Sequence, residues 1–456
     1  MRTKNSRVDM LHGSLPINLL RFALPVILSG VLQLAFNAAD VIVVGRCAGD
    51  TALAAVTSSS PLMGLLVNAQ IGFSMGTNVV VSQALGRRDE DYVERAVHAC
   101  ILLGVIVGVT IGIIGFLITP TVLRLTQTPP TVIAEATTYL RIYFLGAPAQ
   151  VMYNFGAAVL HGHGDSRRPM KFLLVSGVLN LLLNLVFVLG LDMGVAGVGW
   201  ATAIAHWLSC LLVLRCLMSE DGCHRLDLLR LRMDAQVLSE VVKNGVPASM
   251  QAVLMSLSNV VVQSGINSFG DVVMAGSGAS GNIEGFIWIA MNAFYQAGLS
   301  FTGNNLGAGR LDRVDRVMVH STWMAGAVGI FGGAIAYLFG RQLLGIYTDS
   351  AQAVEYGMLR MMIVVLPYCL YGMADAVQGS IRGMGGAVLP MISGLVFLCG
   401  FRLAWMGTVF PQYRTLPVLY TCYPISWVLF LSVNLLCWWI IRGRVRAKAE
   451  LKEEGE

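Results

Sequence analysis

Apolar stretches longer than a globular core needs recur along the whole chain, separated by short clusters of charge. Runs free of Asp, Glu, Lys and Arg cover 22–39, 51–86, 96–123, 142–164, 172–191, 193–214, 244–270, 285–309, 317–340, 361–374, 383–401 and 415–441. An α-helix needs roughly 20 such residues to cross a bilayer, and only 361–374 falls well short, because Asp375 interrupts it. None of the runs alternates apolar and polar positions as a barrel strand does. The pattern therefore predicts an all-α polytopic membrane protein with twelve transmembrane helices.

Composition agrees. Asp, Glu, Lys and Arg make up 12% of 456 residues, against 55% hydrophobic, and the mean hydropathy is +0.68. A soluble protein of this length would need more polar surface, whereas a bilayer accepts apolar side chains facing outward. The net charge of +5 comes without a basic stripe interleaved with aromatics, so no nucleic-acid partner is expected. Nine cysteines, an odd number without a C-x-x-C pair, indicate neither a disulfide framework nor a zinc site. The basic start (Arg2, Lys4, Arg7) followed by an apolar run looks like a signal peptide, but eleven further spans follow, which favours an uncleaved first helix. The absence of any N-x-[ST] acceptor hints at a prokaryotic source.

Charge also orients the chain. Every second loop, beginning with the N-terminus, collects Lys and Arg: Arg87, Arg88 and Arg95, then Arg167, Arg168 and Lys171, then the region from Arg215 to Lys243, then Arg310, Arg313 and Arg316, then Arg382 and the C-terminal tail. The other side holds few, among them Arg46, Arg124, Arg141, Arg341, Arg360 and Arg414. By the positive-inside rule both termini are expected in the cytoplasm, with the protein in the plasma membrane, the inner membrane of a bacterium.

The chain repeats itself. At an offset of 222, Pro25 and Asn37 fall on Pro247 and Asn259. At 221, Leu85-Gly86 and Arg95 fall on Leu306-Gly307 and Arg316, Gly108 and Gly112 on Gly329 and Gly333, and Gly162, Gly164, Pro169 and Met170 on Gly383, Gly385, Pro390 and Met391. Two pseudo-symmetric six-helix bundles of the same orientation follow: an N-terminal lobe over 1–217, a cytoplasmic linker over 218–237, a C-terminal lobe over 238–441 and a charged cytoplasmic tail over 442–456. The Gly-x-x-x-Gly spacings are expected to pack helices within a lobe rather than to dimerise the protein, which is expected to be a monomer.

Leu24-Pro25, Asn37-x-x-Asp40, Val44-Gly45-Arg46, Arg141-Ile142-Tyr143, Gly162-x-Gly164-Asp165, Asn180, Ala201-Thr202, Gly245-x-Pro247, Gly307-Ala308-Gly309, Arg382-Gly383-x-Gly385 and Tyr423-Pro424 resemble, in order and spacing, the multidrug and toxic compound extrusion (MATE) family. The resemblance covers essentially the whole chain and is nearest the bacterial branch related to DNA-damage-inducible protein F. It implies export of organic cations or amphipathic small molecules by antiport with H⁺ or Na⁺, the coupling ion taking the place of a cofactor.

Asp40 is the strongest candidate for chemistry, because a carboxylate within a span is costly unless it faces a cavity or a partner. It can also be read as a satisfied structural acid. Counting residues along the fifth and sixth helices brings Asn180, Asn184 and Thr202 to its depth, with the two asparagines sharing a face. In H⁺-coupled members of the family the matching positions form a polar network. Asn184 stands where many members carry Asp, so Asp40 is the only acid of the four, and H⁺ is favoured over Na⁺. Pro25 can bend the first helix, as a hinge or as a static kink. Glu284 is a candidate second carboxylate or a helix-to-helix hydrogen bond, and Asp375 is expected to pair with the basic loop near Arg382. Helices one, two, seven and eight offer Gln33, Phe36, Asn37, Met63, Gln251, Met255, Asn259, Glu284, Met291 and Gln296 as a substrate cavity. His161-x-His163 alternates too closely for one helix face, and no metal site is expected. No H-E-x-x-H, G-x-S-x-G or P-loop appears, so no enzyme is expected. The competing reading is a lipid-linked precursor flippase of the same superfamily, for which Arg402 is the clearest intramembrane cation.

Overall fold

The computed structural model describes residues 7–47, 49–126, 128–220 and 225–453, and helices and their connections account for all of them. Expectations that rest on Arg2, Lys4 and Cys223 lie outside the described residues. In chain order the helices are α1 (Leu15–Cys47), α2 (Asp50–Arg87), α3 (Glu90–Leu125), α4 (Pro130–Gly162), α5 (Arg167–Asn184) and α6 (Gly194–Met218). They continue with α7 (Ala235–Asn267), α8 (Asp271–Gly307), α9 (Leu311–Leu338), the short α10 (Gly340–Gly345) and α11 (Ala351–Arg360). The last four are α12 (Cys369–Gly383), α13 (Val388–Ser393), α14 (Phe401–Gln412) and α15 (Leu416–Glu453). Wide π-turns extend α5 over Leu185–Gly190, join α11 toward α12 over Met361–Val365, and join α13 to α14 over Gly394–Gly400.

Ten continuous helical segments are long and apolar enough to cross a membrane. The other two spans, α4 and α8, are equally long but are dotted with polar side chains: Gln150 and Asn154 in one, Asn282, Glu284, Asn292 and Gln296 in the other. Together they make the twelve. The tenth span differs from expectation. Instead of stopping at Asp375 it runs over Ala351–Gly383, and Asp375, Gln378 and Arg382 are buried inside it. A polar residue ends a span only if it needs water, and these three find protein partners instead.

The chain forms two compact units. Unit 1 contains Leu28–Leu85 and Asp89–Val242, joined by Arg7; unit 2 contains Val8–Ile27, Gly86–Arg88 and the chain from Lys243 onward. Helix α1 thus changes units just after Pro25. In unit 1 the connection between α6 and α7, with the first turns of α7, folds back on α3: the Asp227 amide donates to His98 Nε2 at 3.0 Å, Tyr92 donates to Glu240 at 2.9 Å, and Arg95 pairs with Asp234 at 2.9 Å. In unit 2, Leu19 and Phe22 are buried against Ala297, Phe301 and Val317, and a second core gathers around Trp427, Tyr420 and Phe430. Arg442 and Arg446 lie on the extension of α15 and dock on Asp315 of α9 at 2.6 and 2.7 Å.

The repeat is written in the backbone. Left-handed conformations occur at Gly49 and Gly270, at Arg88 and Gly309, and at Gly164 and Gly385, each pair 221 residues apart. Close approaches repeat as well. A Cβ on Gly108 would sit 2.8 Å from Pro148 Cα, and one on Gly329 would sit 2.6 Å from Cys369 Cα. Gly112 and Gly333 likewise approach the carbonyls of Phe144 and Val365. The glycine ladders therefore pack α3 on α4 and α9 on the α11–α12 span, each inside its own unit.

Candidate functional site

Asp40 lies on the half of α1 that belongs to unit 1. This stretch is set against α5 by the absence of a side chain at Gly177, where a methyl would overlap the Phe36 ring. Phe36, expected at the cavity, is in that slot instead. Four residues apart on α5, Asn180 and Asn184 project from one face, and both are buried. Asn184 Nδ2 donates to Asp40 Oδ1 at 2.5 Å and lies 3.4 Å from Asn180 Oδ1, while Asn180 Nδ2 donates to Thr202 Oγ1 at 3.3 Å. The structure thus brings together the four residues that sequence reasoning grouped. The helix widens into a π-turn immediately after Asn184, an irregularity frequent at functional positions.

No Lys or Arg forms an ion pair with Asp40 among the described residues. The buried Tyr139 of α4, which sequence reasoning missed, is close enough to feel its charge. Asn184 Oδ1 is buried and makes no hydrogen bond among the described residues. The cluster therefore offers oxygens from Asp40, Asn184, Asn180 and Thr202, a donor set suited to a proton or to a small hard cation and poor for softer metals. Gln33 and Asn37 lie on the same face of α1 as Asp40 and are exposed. Met63 is half-buried and packs on the core formed by Val44, Ala55 and Leu140.

In unit 2 the polar side chains pair with one another. Buried Arg360 donates to Glu284 at 2.9 Å and to Ser277 at 2.7 Å. Of the two readings of Glu284, the structure has the helix-to-helix contact, here an ion pair between α8 and α11, and not a carboxylate open to substrate: the guanidinium already balances its charge. Asp375 forms no ion pair with a basic loop among the described residues, although it feels the charge of Arg382, itself buried in α12; it accepts from Asn292 of α8 at 3.3 Å, and Gln296 in turn donates to Asn292 at 3.2 Å. Arg382 donates to Tyr295 at 2.6 Å and to Gln251 at 2.7 Å, and Gln378 donates to Gln251 at 2.8 Å. Gln251 is therefore a buried bridge rather than cavity lining. Met291 is 1% exposed and fills the core against Gly329 and Gly372, and Met255 packs on the same core. Arg402 donates to Asn259 at 3.2 Å and to Ser426 at 3.1 Å, over the face of Tyr423. Sequence reasoning missed Arg360 and Arg382 as buried groups. The signal for Arg360 was its setting between Met358-Leu359 and Met361-Met362, whereas Arg382, directly before the turn Gly383-Met384-Gly385-Gly386, reads as a loop residue and offered no such signal. Pro25 lies in the part of α1 that packs with unit 2, outside the unit that holds Asp40.

A family model described as MatE matches residues 25–186 and 247–406. The probable multidrug resistance protein YoeA of Bacillus subtilis is 28% identical over 405 residues, covering 87% of each chain. The multidrug export protein MepA of Staphylococcus saprophyticus is 20% identical, covering 83% of this chain and 85% of its own. Among solved structures, an outward-facing multidrug resistance MATE family transporter of the MOP superfamily superposes with a TM-score of 0.89 at 22% identity, covering 98% of this chain and all of the other. The two matched ranges fall one in each repeat, and together they account for most of the sequence, so the chain belongs to the MatE family, the MATE transporters.

Proposed function

We propose that this transporter exports amphipathic, often cationic small molecules by H⁺ antiport, with Asp40 as the residue that carries the proton. The observation that supports it is the carboxylate of Asp40 inside a span, held only by neutral groups and in contact with Asn184 at 2.5 Å. The amide can serve both protonation states. As drawn, its NH₂ donates to a carboxylate; rotated by half a turn, its unpaired Oδ1 accepts from a carboxylic acid. Asn180 and Thr202 then re-pair with the turned amide, so gain or loss of one proton reorders the side chains that hold α1 to α5. Pro25 gives α1 a place to bend as that contact changes.

Coupling follows if the ionised form favours substrate and the neutral form favours release. Each pH unit of gradient supplies ~1.4 kcal/mol per proton, and the membrane potential adds ~2.3 kcal/mol per 100 mV for each net charge moved. Purified protein in liposomes, with ΔpH and ΔNa⁺ imposed separately, tests this. Ethidium efflux driven by ΔpH is expected to fall at least tenfold in Asp40→Asn, and undiminished efflux refutes the assignment. Drive by ΔNa⁺ alone would give the site to Na⁺. The names of YoeA and MepA support multidrug substrates, and their bacterial sources support the plasma membrane. The flippase reading calls for several cations free to meet phosphate, and against it Arg360 and Arg382 are bound by protein groups.

A further inference from the structure

Shifting the chain by 221 residues carries Asn180 to Phe401, next to Arg402, and Thr202 to Tyr423, while Asn37 meets Asn259 at 222. The helices that build the Asp40 cluster of unit 1 thus correspond, in unit 2, to the helices that bring Asn259, Arg402, Tyr423 and Ser426 together. The two places carry opposite charge. Arg402 is 3% exposed and has no acid partner among the described residues. Its hydrogen bonds go to the neutral Asn259 and Ser426, and its guanidinium carbon lies 4.5 Å from the Tyr423 ring centre. The titratable groups near enough to feel its charge are Tyr368, Tyr371, Tyr423, Cys399 and Cys422; of the acids that act on the same tyrosines, Glu284 is bound by Arg360 and Asp375 accepts from Asn292.

A buried guanidinium cannot shed its proton, so an unneutralised one is costly to retain. Nε and Nη1 are used, whereas Nη2 makes no hydrogen bond among the described residues and is not sealed from solvent. Asn259 accepts through Oδ1, which turns its NH₂ away from the guanidinium, and its side chain is exposed. Two donors, Arg402 Nη2 and Asn259 Nδ2, are therefore left for a ligand oxygen.

We infer that Arg402 and Asn259 form a receptor for an anionic group, a carboxylate or phosphate, on an amphipathic ligand. Its transported molecules then include zwitterions and organic anions beside cations. Calling the ligand a substrate rests on the export reading; the site itself does not, and equilibrium binding without any gradient separates the two.

The test uses full-length protein in detergent and two dyes with the same ring system: rhodamine 110, with a free carboxylate, and rhodamine 123, its cationic methyl ester. Anisotropy titrations are expected to show rhodamine 110 binding weakened about tenfold or more in Arg402→Gln, the loss of one charge-assisted contact, with rhodamine 123 changed less than twofold. Asn259→Asp keeps Arg402 but hands it an internal carboxylate, and the same selective loss is expected there, so the test survives if Arg402→Gln does not fold. Arg402→Lys should lose less, retaining charge without the fork. Failure of the wild type to bind rhodamine 110, or equal change for both dyes in both variants, overturns the inference. Competition by added phosphatidylglycerol would assign the anion to a lipid headgroup and its absence to a water-borne ligand; either supports the site. Lost gradient-driven efflux with rhodamine 110 binding intact would count against the export reading alone.

Discussion

Replacing Glu284 by Gln removes one charge from a buried pair and leaves the other. Arg360 is 8% exposed, and its Nη2 lies 2.9 Å from Glu284 Oε2. At that separation with an effective dielectric near 20, the attraction is on the order of 5 kcal/mol, and breaking such a pair typically costs about 3–5 kcal/mol because the remaining charge is stranded. Gln keeps an acceptor for Nη2, which returns about 1 kcal/mol, and Ser277 with the Tyr420 face still attends the guanidinium. A loss of about 2–4 kcal/mol is therefore expected. Arg360→Gln should cost less, since a carboxyl can neutralise itself by taking a proton and a guanidinium cannot lose one. The double variant should be more stable than the sum of the singles by about 2 kcal/mol, read from SDS unfolding followed by tryptophan fluorescence. Additivity within about 0.5 kcal/mol would show that the two groups do not rely on each other, and the reasoning would fail.

Gly177→Ala forces the Phe36 ring out of its slot; overpacking of this kind costs about 1–3 kcal/mol, and it should reduce transport more than Gly278→Ala, which meets nothing within 4 Å. Arg88 holds φ 56° where its repeat partner Gly309 holds 71°, so Arg88→Gly should raise stability by about 0.5–1 kcal/mol in the same unfolding assay, the strain relieved exceeding the flexibility gained by the unfolded chain. The amides of Val237 and Gln236, with Arg95, hold Asp234 below its ordinary value of 3.8. Its capping of α7 is then present above that value and lost as pH falls beneath it, so hydrogen exchange in the first turn of α7 should quicken only in strong acid.

The spans were legible because charge is excluded from hydrocarbon whatever the tertiary structure. The tenth was misread because a window counts Asp375 as a break, and its partner Asn292 is 83 residues away. Asp40 and Asn184 are 144 residues apart, and they were grouped through the family resemblance, with depth counted along helices that the charge pattern had oriented as support. Which side of a helix faces inward was not legible. A helix apolar all round carries no stripe to mark its buried face, so Met291 and Gln251 in the core could not be told from Gln33 and Asn37 outside it.

The division of α1 after Pro25 also bears on how the molecule is made. Met10, Leu19 and Phe22 complete a core whose other members, among them Ala297 and Phe301, come far later in the chain, and Asn305, which donates to the Met10 carbonyl, is 295 residues away from it. At roughly 5–20 residues per second of synthesis, the start of α1 waits about 15–60 s for its partners. For that interval its buried face has only lipid, translocon or chaperone against it. Severing the chain between α6 and α7 would leave the second fragment without the piece that closes its core, so that fragment expressed alone should be less stable than one to which residues 8–27 are restored.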